Sequence, residues 1–176
     1  MKILDATAGF KGIWYQKNHP FVTFMDIRTG KTKNTPGAKI KNRRYYRLDP
    51  DVVADWTKTI PFNNESFDMV VFDPPHFVID KDSPDSLLTL RYSRLDKSTY
   101  KKDLTNGFKE LFRVLKPNGV FILKWCENTV PVDEIIKLSP YPPLFGSNTK
   151  SKGHTANFWI TFLKYDVNMK LDELIT

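Results

Sequence analysis

The sequence of 176 residues has little of what secreted, metal-binding or membrane-spanning proteins need. Its single cysteine, Cys126, has no second cysteine for a disulfide, so nothing points to an oxidising compartment. One cysteine and three scattered histidines give no zinc-site spacing, and we expect no metal. No apolar run approaches the roughly 20 residues of a membrane helix, and the first residues lack the apolar stretch of a signal peptide. We therefore expect a cytoplasmic protein without membrane contact.

The composition indicates one ordinary globular unit. Hydrophobic residues make up 40% of the chain and aromatic residues 14%, which argues against disorder. This length suits a single hydrophobic core. We predict one domain over residues 1–176, with a basic loop insertion at 27–48 and a C-terminal tail at 165–176.

Positive charge is concentrated in one segment. The basic loop contains eight basic residues and no acidic residue, whereas the other 19 basic and 20 acidic residues nearly cancel. Such a cluster suits the binding of phosphates, and Tyr45 and Tyr46 within it could stack on bases. The alternative is a solvated loop that happens to be basic. The candidate substrate contacts in this loop are Lys41, Arg43 and Arg44.

Short apolar runs alternate with helical stretches, which predicts an α/β fold. The predicted strands lie at residues 2–4, 21–25, 52–54, 67–72, 120–125 and 157–164. The predicted helices lie at 11–18, 98–115 and 132–138, and residues 76–96 are predicted to form a long loop. Four of these strands end in an aspartate: Asp5, Asp26, Asp55 and Asp73. Because ligands bind outside the carboxyl ends of parallel strands, all four would face one crevice.

The first turn, Asp5 to Gly9, consists of small residues that allow a backbone to approach a ligand closely. A purely structural tight turn would explain it equally well. Asp26 follows at the end of the next strand, about 20 residues on, where an acidic side chain accepts hydrogen bonds from ribose hydroxyls. The turn and Asp26 together indicate a nucleoside-containing cofactor, either a dinucleotide or S-adenosylmethionine.

The run Asp73-Pro74-Pro75-His76 favours S-adenosylmethionine. Two prolines remove two N–H donors, and Asp73 adds a carboxylate, so the site accepts hydrogen bonds and offers few. This suits an amino group whose nitrogen attacks a methyl carbon, with most of the catalysis coming from positioning and electrostatics. His76 could stack on a planar base. The alternative is a rigid turn that ends a strand.

The chain resembles the class I S-adenosylmethionine-dependent methyltransferases, and more closely the small enzymes of bacteriophages and prophages. The resemblance spans residues 2–164. The motifs that carry it are Asp5…Gly9, Asp26, Asp55, Pro61-Phe62…Ser66-Phe67-Asp68, Asp73-Pro-Pro-His and Leu115-Lys-Pro-Asn-Gly119. It implies a Rossmann-like fold with a mostly parallel sheet, helices on both faces and an antiparallel C-terminal strand.

The resemblance also implies roles for these residues. Asp5 and Gly9 would line the methionine part of the cofactor, Asp26 would bind its ribose, and Asp55 with Trp56 would meet its adenine. The full predicted cofactor-binding set is Asp5, Ala6, Thr7, Gly9, Asp26, Ile27, Asp55 and Trp56. The predicted catalytic set is Asp73, Pro74, Pro75 and His76, which matches the D/N-P-P-aromatic motif of enzymes that methylate adenine N6, cytosine N4, guanine N2 or protein glutamine.

Two residues depart from the family pattern. Lys11 stands where a second glycine is usual, and His76 replaces the usual Tyr, Phe or Trp. A histidine can carry charge near neutral pH, so its stacking would be pH-sensitive. At the end of the predicted fifth strand, Lys124 and Trp125 are further candidate substrate contacts, although a strand-end tryptophan is as often core.

The sequence thus predicts an N-methyltransferase acting on an exocyclic amino group of a nucleic-acid base in DNA or RNA, with adenine N6 first. One alternative is a methyltransferase for a protein glutamine or a small molecule. Another is a non-catalytic nucleic-acid-binding module on a methyltransferase fold, for which Lys11 is the sequence support. The oligomeric state is unknown from the sequence.

Overall fold

A computed structural model describes residues 1–31, 47–149 and 155–165. Its helices are α1 (Leu87–Tyr92), α2 (Tyr100–Val114) and α3 (Val132–Ile136). Its strands are β1 (Ile3–Asp5), β2 (Val22–Asp26), β3 (Gly30–Lys31), β4 (Arg47–Leu48), β5 (Val52–Val53), β6 (Phe67–Phe72), β7 (Val78–Ile79), β8 (Leu95–Asp96), β9 (Leu115–Cys126), β10 (Pro143–Thr149) and β11 (Asn157–Leu163).

Seven strands form one sheet in the order β10-β11-β9-β6-β1-β2-β5. Neighbouring strands from β9 to β5 pair in parallel, and β11 runs antiparallel to both of its neighbours. This confirms the predicted Rossmann-like α/β fold with a mostly parallel sheet and an antiparallel C-terminal strand. Two short two-stranded ladders, β3–β4 and β7–β8, lie outside the main sheet.

The direction of strand addition reverses beside β1. The chain adds β2 and β5 on one side of β1 and then returns to add β6 and β9 on the other. At such a switch point the loops at the carboxyl ends of the strands diverge, and a crevice opens between them. The topology therefore places a ligand site beyond the ends of β1, β2, β5 and β6.

Helix α2 covers one face of the sheet because its apolar residues recur at helical spacing. Leu104, Phe108 and Leu111 are fully buried, and the ring of Phe112 stacks on Phe121 of β9 with 4.6 Å between ring centroids. Burying each such side chain contributes roughly 1.5–3 kcal/mol to folding. This aromatic core fixes the β6–β9 pair, and the run Asp73-Pro74-Pro75-His76 follows directly on β6.

The opposite face is covered differently near β1 and β2. Ile13 and Trp14 pack there against buried residues such as Phe24, in a segment made of turns. The predicted helix at 11–18 is therefore wrong. Lys11 adopts a left-handed backbone with φ of 53°, which right-handed helical geometry does not accommodate.

Other element boundaries also differ from the sequence prediction. Strand β9 begins at Leu115, five residues before the predicted start, and runs through the turn-like Pro117-Asn118-Gly119. Strand β10 was not predicted. The predicted long loop at 76–96 instead contains β7, α1 and β8, which together we call the lid segment (residues 77–96). No helix in the described ranges is both long and apolar enough to cross a membrane.

Candidate active site

A cavity of about 800 Å³ opens at the carboxyl ends of the parallel strands. Its volume falls within the roughly 300–1,000 Å³ typical of ligand sites. The four strand-end aspartates all line it: Asp5, Asp26, Asp55 and Asp73. The other predicted cofactor-binding and catalytic residues line it too: Ala6, Thr7, Gly9, Ile27, Trp56, Pro74, Pro75 and His76.

Asp5 lies at the base of this cavity, in the first turn. It is almost fully buried, and it accepts hydrogen bonds from the Thr7 backbone N–H at 3.1 Å and from the Trp14 indole N–H at 2.6 Å. Burial raises the pKa of Asp5 to about 7, against the lowering effect of these two bonds, and the nearby charges of Asp73 and Asp26 add to the rise. Asp5 is therefore a carboxyl that would gain from a cationic partner.

The turn itself is tied to the second strand. Gly9 adopts φ of +49°, a conformation that suits glycine, and its backbone N–H donates to Asp26 Oδ2 at 2.8 Å. Asp26 is also nearly buried. The two predicted cofactor-binding positions are thus held against each other by one hydrogen bond.

Sequence reasoning missed Arg28, which closes on Asp26 from the other side. Its Nε lies 3.1 Å from Asp26 Oδ1 and its Nη2 3.3 Å from Oδ2, a forked pairing of guanidinium and carboxylate. Its Nη1 donates to the backbone carbonyl of Arg91 in the lid segment at 3.1 Å. Arg28 therefore links the acidic end of β2 to the lid.

One wall of the cavity lies beyond β5 and beside β2. Asp55 accepts hydrogen bonds from the backbone N–H of Thr57 at 3.0 Å and from its hydroxyl at 2.7 Å. Trp56 is buried and packs edge-on against Phe72 at 5.1 Å. Ile27 lines the cavity with 55% of its surface exposed, so its apolar side chain is accessible to a ligand.

Asp73 is the first residue of the predicted catalytic run Asp73-Pro74-Pro75-His76. Its backbone N–H donates to Thr7 Oγ1 at 2.8 Å, which joins the motif to the first turn. Its carboxylate oxygens lie 2.8 and 3.0 Å from Lys124 Nζ. Asp73 directly follows β6 and Lys124 lies in the adjacent strand β9. Because Phe72 pairs with Leu123, the backbone register sets Asp73 and Lys124 side by side.

His76 is held more tightly than a free stacking residue. Its ring meets Trp125 edge-on at 6.2 Å and lies tilted against Phe77 at 5.7 Å. Burial lowers the pKa of His76, outweighing the opposing charge of Asp73, which favours the neutral ring. The pH-sensitivity of its stacking stays a prediction, with protonation of the ring moved to lower pH. Its Nδ1 is buried without a hydrogen-bond partner among the described residues.

The structure contradicts Trp125 as a substrate contact. Its side chain is fully buried, and its indole N–H donates to the carbonyl of Val130 at 3.0 Å. Successive strand residues point to opposite faces, so when Lys124 reaches the cavity, Trp125 enters the core. The other candidates, Lys41, Arg43 and Arg44, lie outside the described residues.

The lid segment adds cavity-lining residues that sequence reasoning missed. They include Leu88, Arg91 and Tyr92. The Arg91 guanidinium lies over the rings of Tyr92 at 4.9 Å and Phe10 at 5.9 Å. Helix α1 begins with a capping box between Ser86 and Thr89, in which Thr89 stands where the sequence signature has Glu or Gln.

Comparison with known proteins places the fold. No protein-family model and no curated protein matches the chain. Among solved structures, a protein of Pyrococcus horikoshii is similar with TM-score 0.58 and 15% identity, covering 93% of this chain and 81% of its own. A SAM-dependent methyltransferase of Methanosarcina mazei has TM-score 0.53 and 16% identity, covering 93% and 92%. A geranyl diphosphate methyltransferase, solved with GPP and sinefungin, has TM-score 0.51 and 13% identity, covering 93% and 70%. The chain has the fold of SAM-dependent methyltransferases.

Proposed function

We propose that this chain transfers a methyl group from S-adenosylmethionine to an exocyclic amino group of a nucleic-acid base, with adenine N6 as the first candidate. The observation that carries the proposal is that the first turn and the Asp73-Pro74-Pro75 motif line one cavity and are joined by the bond from Asp73 N–H to Thr7 Oγ1. A cofactor in the first turn and an amino group at Asp73-Pro74-Pro75 would therefore lie in the same cavity.

The residues present fit the cofactor. Asp5 is a buried carboxyl suited to an ammonium group, and Asp26 is an acceptor suited to ribose hydroxyls, once the Arg28 guanidinium yields one of its contacts to Asp26. Ile27 offers an exposed apolar surface beside Asp55, which suits a base with an amino group. When bound, S-adenosylmethionine supplies an electrophilic methyl carbon on a sulfonium sulfur.

The acceptor nitrogen would be held by hydrogen-bond acceptors. Asp73 accepts one of its N–H bonds, and the two prolines leave that part of the backbone without donors. The nitrogen lone pair forms the new N–C bond while the C–S bond breaks, and its electron pair stays on sulfur. The extra proton then leaves the nitrogen for water. Orientation of the lone pair, rather than strong base catalysis, carries the rate.

The charge distribution supports a nucleic-acid acceptor. The basic loop carries eight positive charges with no acidic residue, and Arg91 lies at the cavity edge in the lid segment. Phosphate groups are the polyanion such a surface suits. A base in a duplex would have to leave the stack to reach Asp73. We retain the phage-type resemblance and the cytoplasmic location as predictions.

A second candidate, a small-molecule or protein-glutamine acceptor, is favoured by the lid segment. Leu88 and Tyr92 add apolar surface to the lining of the cavity. Apolar lining of this kind is common where a small ligand is enclosed. One structural neighbour, with its geranyl diphosphate substrate, shows that the fold alone does not fix the acceptor.

The test is to incubate the protein with methyl-labelled S-adenosylmethionine and mixed DNA and RNA, digest to nucleosides and identify the label. We expect N6-methyladenine or N4-methylcytosine. Asp73→Ala should abolish labelling, and the exposed Asp133→Ala on α3 serves as the matched control. Cofactor binding is measured in parallel by calorimetry.

The outcomes separate the candidates. Label in an amino nucleoside that disappears in Asp73→Ala supports the proposal. Tight cofactor binding without nucleoside label favours a small-molecule or protein acceptor. No cofactor binding would leave the non-catalytic nucleic-acid-binding module.

A further inference from the structure

We infer that Lys124 is a positioning residue of the reaction centre, holding the Asp73 carboxylate and placing an N–H donor beside it. The inference rests on the proposed function. It narrows the acceptor to groups in which an amino group adjoins an unprotonated ring nitrogen, because Asp73 would accept from the amino group while Lys124 donates to the ring nitrogen. It also makes the sequence-based assignment of Lys124 as a substrate contact specific to that ring nitrogen.

The pairing is built into the sheet. Lys124 Nζ reaches both carboxylate oxygens of Asp73, at 2.8 and 3.0 Å, and each side chain is about one-fifth exposed, at 19% and 20%. Both residues follow directly on the paired positions Phe72 and Leu123 of two neighbouring strands. A carboxylate gripped at both oxygens has little rotational freedom, so its remaining lone pairs point in fixed directions.

The positive charge of Lys124 also partly neutralises a cluster of carboxylates. Asp73 and Asp26 both raise the pKa of Asp5 by their negative charge, so three carboxyl groups lie close together at this end of the cavity. Among the described residues, Lys124 is the lysine paired with this group. It offsets one negative charge where the acceptor nitrogen would lose a proton.

The number of N–H donors on Lys124 indicates which edge of a base it would bind. An ammonium group has three N–H donors, and Asp73 takes two of those of Lys124. Lys124 also lines the cavity, so its third donor is available on the side where the acceptor would bind. Adenine presents an amino group beside the acceptor N1, and cytosine presents one beside N3. Asp73 and Lys124 complement that edge as an acceptor–donor pair.

The first test uses Lys124→Met, which keeps the length of the side chain and removes its donors and charge. We expect methyl transfer to fall ~100-fold in kcat, as for a misplaced catalytic group. Cofactor affinity and the melting temperature should change little. Lys124→Arg should recover part of the activity, because a guanidinium can also grip both oxygens. The exposed Lys102→Met on α2 is the matched control.

The second test asks whether Lys124 contacts the ring nitrogen. An oligonucleotide with 1-deazaadenine at the target, or 3-deazacytosine if cytosine is the acceptor, removes that nitrogen. With the wild-type protein we expect a loss of roughly 10- to 100-fold, the range for a hydrogen bond to a charged group. With Lys124→Met the same analogue should reduce methyl transfer only slightly further, because the variant already lacks the contact to the ring nitrogen.

The outcomes distinguish this inference from the proposed function. A wild-type protein that methylates a base but loses nothing in Lys124→Met would overturn the inference alone. Additive losses for the variant and the analogue would overturn the donor role. If Lys124→Met does not fold, Lys124→Gln and Lys124→Arg with the same analogues decide. Absence of base methylation by the wild-type protein would instead overturn the proposed function.

Discussion

Thr7 Oγ1 accepts a hydrogen bond from the backbone N–H of Asp73 at 2.8 Å. The two residues are 66 positions apart in sequence and sit at the ends of the neighbouring strands β1 and β6. This bond directly connects the predicted cofactor-binding turn with the predicted catalytic run Asp73-Pro74-Pro75-His76. The bond holds the backbone of Asp73 in place and so limits the directions in which its carboxylate can point.

Removing that hydroxyl should cost both stability and rate. Thr7→Val keeps the shape of the side chain and leaves the Asp73 N–H unpaired, which costs about 1–3 kcal/mol of unfolding free energy. We expect methyl transfer to fall by about 10-fold with a smaller change in cofactor affinity. Thr7→Ser retains the hydroxyl and is the control in urea unfolding and activity assays. Equal activity in both variants would show that the bond does not position Asp73.

Gly107 in α2 allows Trp56 to pack against the helix. A Cβ added at Gly107 would lie 2.5 Å from Trp56 Cε3, too close for either group to remain in place. Gly107→Ala should therefore destabilise the fold by about 1–3 kcal/mol, despite the helix propensity of alanine. Gly12→Ala meets nothing within 4 Å and is the control. Thermal unfolding measures both, and an unchanged Gly107→Ala would contradict the packing described.

Asp5 makes stability depend on pH. Its folded pKa is raised to about 7 by burial, whereas the unfolded chain titrates near the ordinary value of 3.8. Between these values the folded state holds a proton that the unfolded state has released, so the unfolding free energy falls as pH rises. The contribution is present below about pH 4 and is lost as pH rises through about 7.

Asp5→Asn should flatten this part of the stability profile. The amide cannot ionise, yet its oxygen can still accept from the Trp14 indole N–H. Chemical unfolding at intervals from pH 5 to pH 8 compares the two proteins. An identical slope in both would mean that Asp5 does not carry the pH dependence.

Lys11 carries backbone strain that can be isolated. It has φ of 53°, and its Nζ lies 3.9 Å from the centre of the Phe24 ring. Lys11→Ala and Lys11→Gly both lose the ring contact, but glycine accepts the left-handed backbone. We therefore expect Lys11→Gly to be more stable than Lys11→Ala by ~1 kcal/mol, measured by urea unfolding. Alanine equal to glycine would contradict the strain.

The sequence allowed the sheet and its aspartates to be predicted because both depend on local pattern. A continuous apolar run such as 67–72 reads as a buried strand, and an aspartate after it lies at a strand end. Lys11 and β10 show where local pattern fails. Lys11 adopts a conformation glycine usually supplies, and Pro143 with Gly146 resembles a loop until pairing with β11 orders it.

The site was less predictable because its key contacts join distant parts of the chain. Lys124 meets Asp73 across two strands, and Arg28 meets the carbonyl of Arg91 across 63 positions. No local pattern encodes such pairs. Trp125 was misassigned for a simpler reason: neighbouring residues of a strand point to opposite faces of the sheet, so Trp125 cannot face the same side as Lys124.

The Arg28 side chain donates hydrogen bonds both to Asp26 and to the backbone carbonyl of Arg91 in the lid segment. A ligand that draws Asp26 away from this guanidinium also changes what holds the lid at Arg91. Thermodynamic linkage then requires the converse, so that whatever shifts the lid changes affinity at Asp26 by the same factor. Through this one side chain, ligand affinity at Asp26 and the position of the lid segment would form one coupled equilibrium.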